Sequence, residues 1–159
     1  MEQNHAEQNA VAWMETIIEQ VDALEMDWER YDELKDTNEA DLTEEEREEL
    51  ADLRKTATVD GDEYNDADTV RERIEEGPLS VQVRSGWYSP GAEAEKPEEF
   101  EILLSTGGPA LRIIGDLDEH GQPERPRLQY QDWGTPWTEY FEADRDKLTT
   151  WCNVFYFGD

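Results

Sequence analysis

Cysteine, lysine and long apolar runs are all scarce in this chain of 159 residues. A single cysteine, Cys152, excludes an internal disulfide and leaves no cysteine pair to hold a metal. It lies in Trp151-Cys152-Asn153-Val154-Phe155, surroundings that suit a small buried hydrophobe and not a reactive thiol. No apolar run approaches membrane-spanning length, and Met1-Glu2-Gln3-Asn4-His5 lacks the basic and apolar regions of a signal peptide. These absences predict a soluble protein of the cytoplasm. Catalytic motifs are missing too. The two histidines, His5 and His120, fall in an expected frayed terminus and a turn, and there is no Ser/Cys–His spacing, phosphate-binding loop or dinucleotide fingerprint. Ser105-Thr106-Gly107-Gly108-Pro109 joins two strands and opens no helix, so it lacks the dipole that would hold an anion. The sequence predicts no enzyme, no catalytic residue and no cofactor.

Basic residues are the other deficit: 14 Lys and Arg, only four of them Lys, against 42 Asp and Glu, for a net charge of -28. Folding crowds these like charges at a cost that salt reduces. The same field repels DNA, RNA and anionic membranes, and attracts basic surfaces, above all those shaped to grip phosphate. The expected partner is therefore a basic nucleic-acid-binding protein or complex, with no direct nucleic-acid binding and no membrane. Hydrophobic residues make up only 36% of the chain, yet six Trp, six Tyr and four Phe supply material for a core that a disordered acidic chain would lack.

The charge is uneven. Residues 1–78 hold 27 acids and 7 bases, a net of -20; residues 79–159 hold 15 acids and 7 bases, a net of -8. Composition changes at Gly77-Pro78 from helix formers to β-branched and aromatic residues, which divides an acidic helical region, 1–77, from a β-rich region, 78–159. Val11, Met14, Ile17, Ile18, Val21, Leu24, Trp28, Tyr31 and Leu34 recur every three or four residues, predicting one helix over about 9–36 with Asn9 as N-cap. That stripe packs on the sheet or pairs with a second copy, which leaves a homodimer open. Thr43-Glu44-Glu45-Glu46 is a capping box opening a second helix that fades near Ala57. Asp60-Gly61-Asp62 is a turn, and a third helix runs from about Ala67 to Glu76 and stops at Gly77-Pro78.

Strands are predicted at 79–84, half-buried by its alternation, and at 100–105, 110–115 and 127–133. Ser89 to Lys96 reads as an exposed loop and Gly107-Gly108 as a tight turn, with a helix from about Asp144 to Phe157 or a last strand at Val154-Phe155-Tyr156-Phe157. The whole is α+β: acidic helices, then a mostly antiparallel sheet of about four strands, then a C-terminal helix or strand. Two metal readings are weak. Asp60–Asp66 starts like a calcium loop but lacks its glycine and final Glu, while Asp116, Asp118 and His120 alternate near a turn.

Acids spaced i, i+3, i+4 and i+7 stand in columns on a helix, about 5–6 Å apart. Such a column can occupy a groove built for phosphates, which is the physical logic of DNA mimicry. Glu15, Glu19, Asp22, Glu29, Asp32, Glu33, Glu44, Glu45, Glu48 and Glu49 are the expected partner-binding residues. The alternatives are a merely solubilising surface, adaptation to high salt, or a structural or adaptor protein. The last would dock a partner through the aromatic segment Trp133–Phe141, with Trp133, Trp137 and Tyr140 as its contacts.

From Asp66 to Gly158, the phrases Arg84-Ser85-Gly86-Trp87-Tyr88, Leu104-Ser105-Thr106-Gly107-Gly108-Pro109-Ala110, Gln131-Asp132-Trp133-Gly134-Thr135-Pro136-Trp137-Thr138 and Phe155-Tyr156-Phe157-Gly158 stand out. With Pro78-Leu79-Ser80-Val81, they resemble a family of small uncharacterised acidic proteins carried by bacterial phages, prophages and plasmids. The resemblance implies a mobile-element setting and assigns no catalytic residue. In that setting the expected function is a DNA-mimic inhibitor of a host defence complex, of anti-CRISPR or antirestriction type.

Overall fold

A computed structural model describes residues 5–93, 96–107 and 109–158. Residues 1–4, part of the predicted 89–96 loop and Gly108 of the predicted turn lie outside them. The fold is α+β. Helices α1 (His5–Glu25), α2 (Trp28–Asp36), α3 (Glu44–Thr56) and α4 (Ala67–Glu76) precede a five-stranded sheet, and α5 (Arg145–Cys152) follows it. A short hairpin, β1 (Thr58–Val59) and β2 (Asp62–Glu63), lies between α3 and α4. The sheet is an antiparallel meander of β3 (Ser80–Arg84), β4 (Glu99–Ser105), β5 (Ala110–Leu117), β6 (Pro123–Gln131) and β7 (Thr138–Glu139), in chain order.

One face of this sheet is apolar and covered. Phe100, Ile102 and Leu104 of β4, Leu111, Ile113 and Leu117 of β5 and Leu128 of β6 alternate with exposed or half-exposed residues, as a pleated strand requires. Ala10, Met14, Ile17 and Val21 of α1 join them, with Val70 and Ile74 of α4 and Leu148, Trp151 and Cys152 of α5. Gly115 is needed for close approach: a Cβ there would stand 2.7 Å from the Phe100 ring and 2.9 Å from the Glu124 carbonyl. Phe157 closes the far end against Phe100, with ring centroids 4.8 Å apart. Within this core the Trp151 indole N–H donates to Gln20 Oε1 at 2.8 Å, and Gln20 is the one buried polar residue among those described.

The single helix predicted over 9–36 is two helices. The chain breaks at Met26-Asp27, where Asp27 caps α2 by accepting from the Arg30 N–H at 2.9 Å. Apolar spacing continues across the break, so the periodicity hid it. Asn9 is not the N-cap, because α1 already runs from His5, and buried Ala6 and Ala10 extend its inner face. Val11, expected in the stripe, is exposed. The α1 part of the stripe packs on this chain's own sheet, while Tyr31 and Leu34 lie outside that cluster.

Other expectations hold. The Thr43–Glu46 capping box is complete, with Glu46 N–H to Thr43 Oγ1 at 3.1 Å and Thr43 N–H to Glu46 Oε1 at 3.0 Å. Asp60-Gly61 turns the β1–β2 hairpin with positive φ at both residues, 52° and 84°, as a type I′ turn demands. Helix α4 spans the predicted residues, and Cys152 is fully buried, which pushes its thiol pKa up. The C-terminal segment is a helix followed by irregular chain, and no strand forms at 154–157. Strand β6 starts earlier and ends earlier than predicted, and two-residue β7 was too short to read. Strand β3 is not half-buried: it lies at the sheet edge, and Val81 and Val83 are 38% and 41% exposed.

Replacing Gln20 by Leu keeps the side-chain bulk but leaves a buried indole N–H without an acceptor, a cost of about 1–3 kcal/mol. Urea denaturation should show a lower midpoint at unchanged slope.

Candidate acidic interface

Helix α1 faces inward through Met14, Ile17 and Val21, so Glu15, Glu19 and Asp22 form a column on its solvent side. No Lys or Arg occurs before Arg30, and α1 therefore carries no cation of its own. Among the described residues its one ion pair comes from α5: Lys147 Nζ bonds Asp22 Oδ1 at 2.6 Å, and that bond raises the lysine pKa. Glu15 and Glu19 stay exposed and make no ion pair among the described residues.

Helices α2 and α3 form a hairpin around Arg30. Its guanidinium donates twice to Glu49, at 2.9 and 3.1 Å, and lies 3.5 Å from Glu33 and 3.9 Å from Glu46. The hydrogen bond from Arg30 holds the Glu49 carboxyl below the usual range. Glu46 is lowered chiefly by its hydrogen bond to the Thr43 backbone. At the hairpin base the Tyr31 hydroxyl donates to Glu63, which Arg54 also approaches at 3.6 Å. Outward from this frame point Glu29, Asp32 and Asp36 on α2 and Glu44, Glu45, Glu48 and Asp52 on α3.

Seven of the ten expected residues are thus unpaired carboxylates on exposed helix faces, while Asp22, Glu33 and Glu49 are engaged by cations. The break at Asp27 divides them between α1 and the hairpin, so they do not line a single rod. Two features escaped the sequence reading. Arg30 organises the hairpin, a role that shows only once α2 and α3 are side by side. Helix α4 carries a further column, Asp68, Glu72 and Glu75, at the i, i+4, i+7 spacing already visible in the sequence, with Arg71 on Asp68 at 3.3 Å.

The sheet's uncovered face is different. Registers place Gln82, Glu101, Ile114 and Arg127 in one row, with Arg84, Glu99 and Asp116 in the next. Arg112 spans Glu101 at 2.8 Å and Gln129 at 2.9 Å, and its guanidinium stacks 4.2 Å from the Trp137 ring centre. Acids and bases alternate here and largely neutralise one another. The aromatic trio does not converge. Trp137 lies with Arg112 on this uncovered face, Tyr140 packs against the core, and Trp133 projects 82% exposed from its turn.

Among the described residues no group of three His, Cys, Asp or Glu side chains is placed to hold a metal. Asp118 instead accepts from the His120 and Gln122 backbone N–H groups, and Asp116 pairs with Arg125 at 3.0 Å. Asp116, Asp118, His120 and Arg125 border an open cleft of about 780 Å³ with Lys96, Glu98 and Phe157. No helix among the described residues is long and apolar enough to cross a membrane. No family model, curated protein or solved structure matches the chain.

Two outcomes follow from the Arg30 frame. Arg30→Gln leaves Glu33, Glu46 and Glu49 without their shared cation, so the urea midpoint should fall more at low salt than at high. The Glu49 pKa is lower folded than unfolded, so its stabilisation is complete above about pH 4.3 and fades as pH falls through the folded value. The stability gap between the native chain and Glu49→Gln should therefore close on acidification below that pH.

Proposed function

We propose that this protein is a non-enzymatic inhibitor of DNA-mimic type. It occupies the basic nucleic-acid groove of a host defence complex, of anti-CRISPR or antirestriction type, or of another DNA-binding protein in the host cytoplasm. The carrying observation is the polarity of the charge. Unpaired carboxylates crowd the outer faces of α1, α2, α3 and α4, while the uncovered sheet face interleaves Arg84, Arg112 and Arg127 with Glu99, Glu101 and Asp116. A purely solubilising or salt-adapted coat has no need of that asymmetry. Like charges at i, i+4 also weaken the helices that bear them, so retaining them is consistent with use. The resemblance to phage, prophage and plasmid proteins supplies a setting in which blocking a host nuclease is advantageous.

The functional residues are Glu15, Glu19, Asp22, Glu29, Asp32, Glu33, Glu44, Glu45, Glu48 and Glu49, with the unpaired ones contributing most. Capture of basic partners from host lysate should succeed at low salt. Binding should weaken at least about tenfold between roughly 0.1 and 0.3 M NaCl, because salt screens the attraction between these carboxylates and the basic groove. Duplex DNA should compete. Reversing Glu15, Glu19, Glu45 and Glu48 to Lys should abolish capture; intact binding after that change would sink the reading. The adaptor alternative retains Trp133 and Phe141 as exposed contacts. It expects Trp133→Ala to abolish a binding that salt hardly alters.

A further inference from the structure

The longest stretch of the chain without Asp or Glu runs from Gly77 to Ala92 and carries Arg84 as its one charge. In a molecule with 42 acids this segment adds no negative charge of its own against a second negative body, and Glu99 on the neighbouring strand is paired with Arg84. It also contains β3, which pairs only with β4 and leaves its other side as the sheet edge. Natural edges are commonly blunted by lysine, proline, a bulge or an inward charge. Ser80-Val81-Gln82-Val83-Arg84 has none of these ahead of its final Arg84. Of nine large apolar side chains exposed among the described residues, five lie on or beside this strand: Leu79, Val81, Val83, Trp87 and Tyr88.

We propose that β3 is a dimer interface, pairing antiparallel with β3 of a second copy about a two-fold axis at Gln82. Val-Gln-Val reads the same in both directions, so the axis sets Val81 opposite the second copy's Val83 and Val83 opposite its Val81. Directly opposed side chains across an antiparallel pair stand about 4.5–5.5 Å apart at Cβ. Register fixes the face as well. Val81 is opposite Ile102 and Val83 is opposite Phe100, both core residues, so the four valines continue the apolar side of both sheets. Arg84 falls opposite Ser80, where it meets no like charge and keeps its own partner Glu99. A foreign strand would also need to be free of acid and matched to this spacing, whereas a second copy meets both conditions by symmetry. An isologous two-fold contact also closes on itself, which limits assembly to two copies.

This inference stands apart from the inhibitor reading, and salt separates them: it should weaken capture of a basic partner and strengthen contact between two chains of charge -28. Sedimentation of the full chain at about 100 µM, a load suited to micromolar association, tests it in roughly 0.05 and 0.5 M NaCl. The expected result is a dimer whose dissociation constant falls at least about tenfold at the higher salt. Val83→Lys should give a monomer in both salts with unchanged circular dichroism, since Val83 is exposed in the single chain. Gln82→Cys should cross-link to its own copy under mild oxidation, because Cys152 is buried and cannot compete. A monomer under both conditions overturns the proposal, as does a dimer that survives Val83→Lys or that salt dissociates. The charge-reversed chain with four Lys should still dimerise, so the two proposals fail independently.

Discussion

The covering of the sheet by α1 is the contact on which the other elements depend. Met14, Ile17 and Val21 close an apolar face built by β4, β5 and β6, and Gln20 fastens the helix to Trp151 of α5. Helix α4 then seats Val70 and Ile74 beside it. With those faces committed inward, helical geometry sends the intervening acids outward, and the acidic surface follows from the packing. The core must also offset the mutual repulsion of a net charge of -28, which explains why so few apolar residues are so fully buried.

Much of this was legible in the residues. Thr43 and Glu46 announced a helix start by chemistry confined to one turn, and Asp60-Gly61 announced a hairpin by tolerating positive φ. The strands at β4 and β5 read correctly because short apolar runs lie between clear turn residues. Where the sequence misled, a local signal competed with a longer one. Trp28, Tyr31 and Leu34 continue the spacing of α1, yet Asp27 offers a side chain to the Arg30 N–H and starts a new helix. Asn9 looks like a cap, but Ala6 and Ala10 had already found the core. Alternation in β3 implied partial burial, which depends on neighbours that a single strand cannot reveal.

The candidate surface was legible as composition and only partly as shape. Carboxylates at helical spacing identify the outward faces. They do not reveal which acids meet a cation from a distant element, as Asp22 meets Lys147 and Glu49 meets Arg30. The aromatic segment shows the same limit. Trp137 and Tyr140 are three residues apart on a strand-like path, so the pleat turns them to opposite sides of the sheet.

The hairpin of α2 and α3 has a consequence of its own. It branches from α1 at Met26-Asp27 and is braced by Arg30 and by the Tyr31–Glu63 bond, while Trp28 packs against the edge of the buried cluster and donates its indole N–H to the Ala23 carbonyl. Such an appendage can open as a local cooperative unit while the rest stays folded. Opening it would have to break the Trp28 contact with α1 first, so the spacing between the two charged surfaces is held by that one indole.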